Sequence, residues 1–311
     1  MKPERRLVDL SVTLDNNPYT DPPPLLPRID YMDHQQGWPE MAAMFPGLQL
    51  EQLPGNESWA AERLQITTHS GTHMDAPWHY ASTTDGGQPA FGIDELPLDW
   101  CLQPGVKLDF RHMADGHVVT ADEVAAELAR IEHVLQPLDI VLVNTRAGAL
   151  FGQPGYLDAG IGMGREATLY LLERGVRVVG TDAWSWDAPF KYTRERFAAD
   201  GDAAIIWEGH KAGRDIGYGQ MEKLANLETL PAKGFVVSCF PTRSGTPRQD
   251  SCGRWRFSKS EPRYQSTLVK HNKRGFMGLL RMPPAALFAR CHWVAAWPWR
   301  PRVRQGNPIS C

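Results

Sequence analysis

Cysteine is scarce in this chain. The 311 residues hold five, at 101, 239, 252, 291 and 311, an odd number with no Cys-x-x-Cys pair. That excludes a disulfide framework and fits reduced thiols, so a cytoplasmic location is expected. No apolar run reaches 18 residues, so no membrane-spanning helix is expected. The first residues, Met1-Lys-Pro-Glu-Arg-Arg6, offer no apolar signal core. Charge of one sign is also lacking overall. A net charge of −3 gives no sign of nucleic acid or an acidic membrane as partner. There is no internal repeat, no low-complexity segment, and no Gly-x-Ser-x-Gly elbow that would suggest a serine nucleophile. What remains is an ordinary globular composition, 42% hydrophobic and 22% charged, in a chain long enough for one large domain or two ordinary ones.

The near-neutral total hides an asymmetry. Residues 248–311 carry 13 Lys or Arg against only Asp250 and Glu261, whereas residues 1–247 carry 20 against 34 acids. So abrupt a shift marks a boundary. Two segments are therefore read: 1–247 as a single catalytic domain, and 248–311 as an atypical basic tail.

Within the first segment, Leu7–Leu14 alternates and predicts a strand. Asp15–Pro54 is Pro-rich and irregular but holds Tyr31, Trp38, Met41, Met44 and Phe45. A long loop with that apolar content reads as a flap over a site or as a dimer contact. Strands are predicted at Trp59–Thr68, Val106–Phe110, Asp139–Thr145, Val176–Asp182 and Gly234–Phe240. Val118–Leu135 predicts a helix, opened by a capping box of Thr120 and Glu123. Arg165–Arg174 predicts another, stopped by Gly175. The strand–helix–strand order implies an α/β fold with at least one parallel pair.

The chemistry is concentrated in Thr67-Thr-His69-Ser-Gly-Thr-His73-Met-Asp75-Ala-Pro-Trp-His79-Tyr80. Three imidazoles and a carboxylate suit Zn, Mn or Fe. Gly71 and Pro77 argue against a continuous helix, so a strand end running into a tight turn is expected, with His69, His73 and Asp75 converging on an ion. His79 is either a fourth ligand or a free base beside the metal. Ser70 is a poor nucleophile, because the adjacent histidines are better used by a metal. A second cluster must complete a two-metal site. One candidate is Asp182 to Asp187, at the end of a buried strand, where open α/β sheets gather ligands. Trp184 and Trp186 beside it are packing residues or an aromatic pocket wall. The other candidate is His210 with Glu222, the latter in Tyr218–Leu227, read as a helix or helix start.

The stretch His69-Ser-Gly-Thr-His73-Met-Asp75-Ala-Pro-Trp-His79 resembles the signature of the cyclase-like metal hydrolases, a family that includes bacterial kynurenine formamidase and isatin hydrolase. The resemblance runs from about Leu7 to about Pro241. It implies a swivelling β/β/α fold with a mixed sheet, commonly dimeric. It favours the second candidate, since His210 and Glu222 reproduce a His and a Glu twelve residues apart. It implies two divalent ions, Zn or Mn: one on His69, His73 and Asp75, the other on Asp75, His210 and Glu222, with Asp75 and Glu222 shared. His79 is then proton donor and acceptor, and Asp182 and Asp187 lie behind the ligands. The implied activity is hydrolysis of a carbon–nitrogen bond in a small amide, such as an aryl formamide of the N-formylkynurenine type. A metal-dependent cyclase or dehydratase, or a metal-binding protein without turnover, are the alternatives. After Pro241 the family continues with a small-residue turn and an apolar strand. Here Thr242 onward is rich in Arg, Trp and Pro, and Cys291–Arg300 reads as neither helix nor strand. Either the reading frame shifts near residues 243–250, or the tail is a basic appendage for an anionic partner.

Overall fold

Three crossovers build the parallel middle of the main sheet, the first two through an amphipathic helix that packs back on the sheet. The structure, a computed structural model, describes residues 6–242 and the backbone of 295–298. Among these residues the main sheet holds β1 (Val8–Asp9), β2 (His73–Asp75), β3 (Leu102–Asp109), β4 (Ile140–Asn144), β5 (Val178–Thr181), β6 (Gly219–Glu222), β7 (Lys233–Ser238) and β8 (Ala295–Pro298). Their spatial order is β1-β8-β7-β3-β4-β5-β6-β2. The run β3-β4-β5-β6 is parallel. Antiparallel strands flank it, β7 on β3 at one side and β2 on β6 at the other. This is the α/β fold with parallel pairs that the order of elements implied, and the mixed sheet that the resemblance implied.

The helices are α1 (Trp38–Met44), α2 (Pro77–Tyr80), α3 (Ala121–Arg130), α4 (Arg165–Glu173), α5 (Phe190–Asp200) and α6 (Glu208–Lys211). β4 is buried along its whole length, as a strand covered on both faces must be. Val141 and Val143 face Val124 and Leu128 of α3 and Ala167 and Leu171 of α4. Ile140 and Leu142 face the opposite way, towards Leu10, Met221, Leu224, Phe235 and Val237. The Thr120–Glu123 capping box is present at the start of α3.

Several sequence expectations are corrected. The helix expected over Val118–Leu135 is ten residues long, because Val118–Val119 is a short strand and the helix stops at Arg130. The first strand is Val8–Asp9, not Leu7–Leu14. Asp15–Pro54 is not irregular throughout: Arg28–Met32 pairs antiparallel with Ala61–Gln65, and α1 lies between them. Tyr218–Leu227 is not helical. It supplies β6, whose residues are all buried and bond to β5. Ala295–Pro298, inside the stretch read as neither helix nor strand, pairs with both β7 and β1. The remainder of the 248–311 tail, and the proposed frame change near 243–250, lie outside the described residues. No helix among the described residues is long and apolar enough to cross a membrane.

Where β3 meets β7, Gly105 sits under the ring of Phe235. A Cβ at Gly105 would lie 2.1 Å from Phe235 Cε2. Gly105→Ala is therefore expected to lower unfolding free energy by about 1–3 kcal/mol through overpacking. Urea unfolding of the variant checks this, and an unchanged midpoint would show that the ring moves aside freely.

Candidate metal centre

The site forms where the edge strand β2 lies against β6. Their antiparallel register sets His73 opposite Glu222 and Asp75 opposite Gln220. Opposed residues share a face and successive residues alternate, so all four side chains project to one side. Met74 and Met221, the intervening pair, project to the other side and join the apolar cluster. His69 arrives from the turn before β2. Gly71 is left-handed at φ +66, and the Thr67 N–H donates to the Ser70 hydroxyl at 3.1 Å. Ser70 therefore builds the turn, consistent with its exclusion as nucleophile. Pro77 opens the four-residue α2, which carries His79. His210 lies on α6, brought in by the chain after β5.

Sequence-predicted residues from both halves of the chain meet here. His69 Nδ1 is 3.1 Å from both Asp75 Oδ1 and His73 Nε2. His73 Nε2 is 3.7 Å from Asp75 Oδ1 and 3.5 Å from Glu222 Oε2. His210 Nε2 is 3.5 Å from Glu222 Oε1, and His79 Nε2 is 3.8 Å from Asp75 Oδ2. Ligand atoms of His69, His73 and Asp75 lie within 4.8 Å of one another, and so do those of Asp75, His79 and His210. Glu222 stands between His73 and His210. His79 thus occupies a ligand-like position as well as a base-like one.

Outer contacts fix the imidazoles. His73 Nδ1 donates to the Gly71 carbonyl at 2.9 Å, which leaves the Nε2 lone pair facing the cluster. His210 Nδ1 is 2.5 Å from Asp187 Oδ2, and Asp187 also accepts the backbone N–H groups of Gly209 and His210. Gly209 must be glycine, since a Cβ would lie 2.4 Å from the Met163 carbonyl oxygen. Asp182, by contrast, is spent on Asn144 and Thr145 and reaches no ligand. Trp186 is packing: it is buried and its Nε1 donates to Thr168, while its backbone N–H donates to Glu222 Oε1 at 2.9 Å.

The sequence reading missed Gln220, which sits 2.9 Å from His210 Nε2 and donates to Glu222 Oε1 at 2.7 Å. Its signal was the two-residue spacing from Glu222, hidden once the stretch was read as helical. Trp207 was also missed. It stacks on His210 at 4.9 Å and stands edge-on to His79 at 5.1 Å. Its left-handed backbone, φ +58, leaves no mark in the sequence.

The residues fit a cation. Asp75 Oδ2 is shut from solvent with no hydrogen-bond partner among the described residues. A buried carboxylate oxygen left in that state is costly unless a charge meets it. Burial would lower the His73 pKa, but the Asp75 and Glu222 carboxylates outweigh it and hold it above the ordinary value. Burial likewise opposes protonation of His210, and Asp187 overrides it, so the value is raised. For Asp75, burial would raise the value, yet His73, His69 and His79 bring it well below the carboxylate range. His79 is lowered, first by burial and then by His69 and His210, against the pull of Asp75. Burial pushes Asp182 up to about 7 despite its donors.

These directions set the pH dependence of the metal-free protein. Raised His73 and His210 contribute stability that is full below about pH 6.5 and lost as pH rises through their folded values. Raised Asp182 acts in the same sense, from about pH 4 upward. Depressed Asp75 contributes stability that is lost only as pH falls below about 4, and depressed His79 acts against the two raised histidines, its contribution being lost as pH falls below about 6.5. The melting temperature without metal is expected to fall between about pH 6 and about pH 8, and the gain from added divalent ion is expected to grow over that range as protons leave the ligands. Thermal melts with and without metal across that range check this. A metal-free melting temperature that rises with pH would refute it.

Residues 8–188 match the Cyclase family model, described as "Putative cyclase". The kynurenine formamidase of Salinibacter ruber is 30% identical over 160 residues, covering 47% of this chain and 65% of that protein. Isatin hydrolase A from Ralstonia solanacearum superposes with a TM-score of 0.56 at 22% identity, over 76% of this chain and 86% of that one. An isatin hydrolase bound to the product analogue thioisatinate gives a TM-score of 0.56 at 21% identity with the same coverage. The matched region contains the whole His69–His79 motif, and on that evidence the chain belongs to the cyclase family.

Proposed function

We propose that the chain is a metal-dependent hydrolase of a carbon–nitrogen bond in a small amide, aryl formamide or cyclic amide. The observation that carries this reading is the convergence of His69, His73, His79 and His210 on buried Asp75, whose Oδ2 has no hydrogen-bond partner among the described residues, with Glu222 between His73 and His210. Similarity to a kynurenine formamidase and the likeness of fold to isatin hydrolases support the amide class.

His69, His73 and Asp75 would hold one divalent ion, and Asp75, His210 and Glu222 a second, Zn and Mn both suiting imidazole and carboxylate. Bound there, such ions supply Lewis acidity and lower the pKa of a contacting water. The protein supplies the rest. Burial keeps the half-buried His79 neutral at working pH, so its ring can take a proton from water and return it to the leaving nitrogen. Asp75 Oδ2 lies 3.8 Å from His79 Nε2, so the ring stands beside the carboxylate. Tyr80 and Tyr218 stack at 5.0 Å beneath the cluster and keep its floor dry. Trp207 offers an aromatic edge beside His79, suited to an aryl amide.

Elemental analysis of the purified full-length chain is expected to find close to two Zn or Mn per chain, lost in Asp75→Ala. A screen of aryl formamides and cyclic amides is expected to give metal-dependent turnover. No metal in well-folded, reconstituted protein would remove the mechanism. Turnover without release of amine or carboxylate would point to cyclisation or dehydration.

His79→Ala is expected to lower kcat by about 10²–10⁴-fold with metal content unchanged. Loss of one metal equivalent in that variant would instead make His79 a ligand, the role its placement with Asp75 and His210 also allows.

A further inference from the structure

Lys223, the residue after Glu222, is 1% exposed. Two features make a lysine costly there. A buried ammonium must be paired. Its backbone is left-handed at φ +56, a conformation that glycine and asparagine occupy far more readily.

Its backbone N–H donates to the Ala183 carbonyl at 3.0 Å, and its side chain and carbonyl reach the ligand turn. Nζ donates to the His69 carbonyl at 2.9 Å and forms an ion pair with Asp21. The Lys223 carbonyl accepts the Thr72 hydroxyl at 2.5 Å. The turn between His69 and His73 is thus gripped at its start by the lysine side chain and at its end by the lysine backbone. Asp21 also accepts Trp184 Nε1 at 3.0 Å, and its second oxygen is buried with no partner among the described residues. The His69 N–H is bonded only within the turn, to Thr67 Oγ1 at 3.2 Å.

We propose that Lys223, paired with Asp21, is a positioning residue that fixes His69 for metal binding and joins the segment around Asp21 to the metal centre. The proposal rests on the metal-centre reading above. A free ammonium would repel a cation. Here two of its three donors are committed to Asp21 and to a carbonyl, so its charge is neutralised locally while its reach holds the turn.

The test is Co²⁺ titration of the metal-free full-length chain, followed by visible absorption, in wild type, Lys223→Met, Asp21→Asn and the double variant. Removing an outer contact of a metal ligand typically weakens binding about 10–100-fold. One Co²⁺ is expected to bind each variant as in wild type and the other to bind about 10–100-fold more weakly, with a changed absorption envelope. The double variant leaves neither charge alone, so it is expected to melt higher than either single variant while binding Co²⁺ no better. A folded double variant with wild-type affinity and spectrum overturns the proposal and leaves the pair as a support of the fold. Wild-type protein that takes up no Co²⁺ removes the metal-centre reading itself, a result distinct from any difference among the variants.

Discussion

The register of β2 on β6 is the constraint on which the site depends. His73 faces Glu222 and Asp75 faces Gln220 only in this pairing. A slip of β2 by one residue would turn Met74 into the site and carry His73 and Asp75 towards the apolar cluster. A three-residue edge strand has few ladder bonds with which to resist a slip. Packing of partly buried Met74 against buried Met221 supplies the missing specificity, full burial of such a side chain contributing roughly 1.5–3 kcal/mol and partial burial less. The Thr72–Lys223 bond fixes the same pairing from just before β2.

Electrostatics then separates groups of like chemistry into different roles. Asp75, Asp187 and Glu222 are all buried carboxylates. Asp187 is saturated by two backbone N–H groups and the His210 ring, so it serves to aim an imidazole. Glu222 accepts from Trp186 N–H and Gln220 through Oε1 and turns Oε2 towards His73. Asp75 keeps one oxygen with no partner among the described residues. Hydrogen bonds to charged groups contribute about 1.5–3 kcal/mol each. An exposed pair such as Arg111–Asp109 contributes about 0–1 kcal/mol. The bonds of Asp187 and Glu222, among the protein's stronger polar interactions, are therefore spent on setting ligand geometry.

Much of this was legible in the sequence, for physical reasons that also mark where legibility ends. β4 and β5 announce themselves because strands covered on both faces are continuous apolar runs. α3 does so through its cap. The His69–Asp75 turn was readable because Gly71 and Pro77 rule out a helix through it. β6 was misread because Gly219-Gln-Met-Glu222 is short and its helix-forming residues outvote a two-residue period, which tertiary pairing with β5 and β2 restores. Losing β6 lost Gln220, although Glu222 survived through the His210 spacing. Trp207 and the Lys223–Asp21 pair were not readable, because a left-handed backbone and a contact between residues 202 positions apart are properties of the fold alone.

The division between sheet and surroundings also says where selectivity must reside. The groups that can hold ions and move protons sit on strands, a turn and two four-residue helices tied into a buried frame, so their geometry is fixed by packing. What surrounds them is built differently. The hairpin of Arg28–Met32 and Ala61–Gln65 ends two residues before Thr67, where the ligand turn starts, and Asn16 extends it by bonding both the N–H and the carbonyl of Ile29. Its Tyr31 and Leu64 are 58% and 50% exposed, and of its apolar residues Ile29 is buried, so it adds little to the apolar core. A segment that adds little to the core yet borders the ligands can vary without unfolding the sheet. On the proposed hydrolase reading, reaction type would follow from the β2–β6 register, and choice of substrate from Trp207 and this N-terminal segment. The Lys223–Asp21 pair is one of the points at which the N-terminal segment is joined to the sheet, beside the Val12–Thr72 and Trp184–Asp21 bonds.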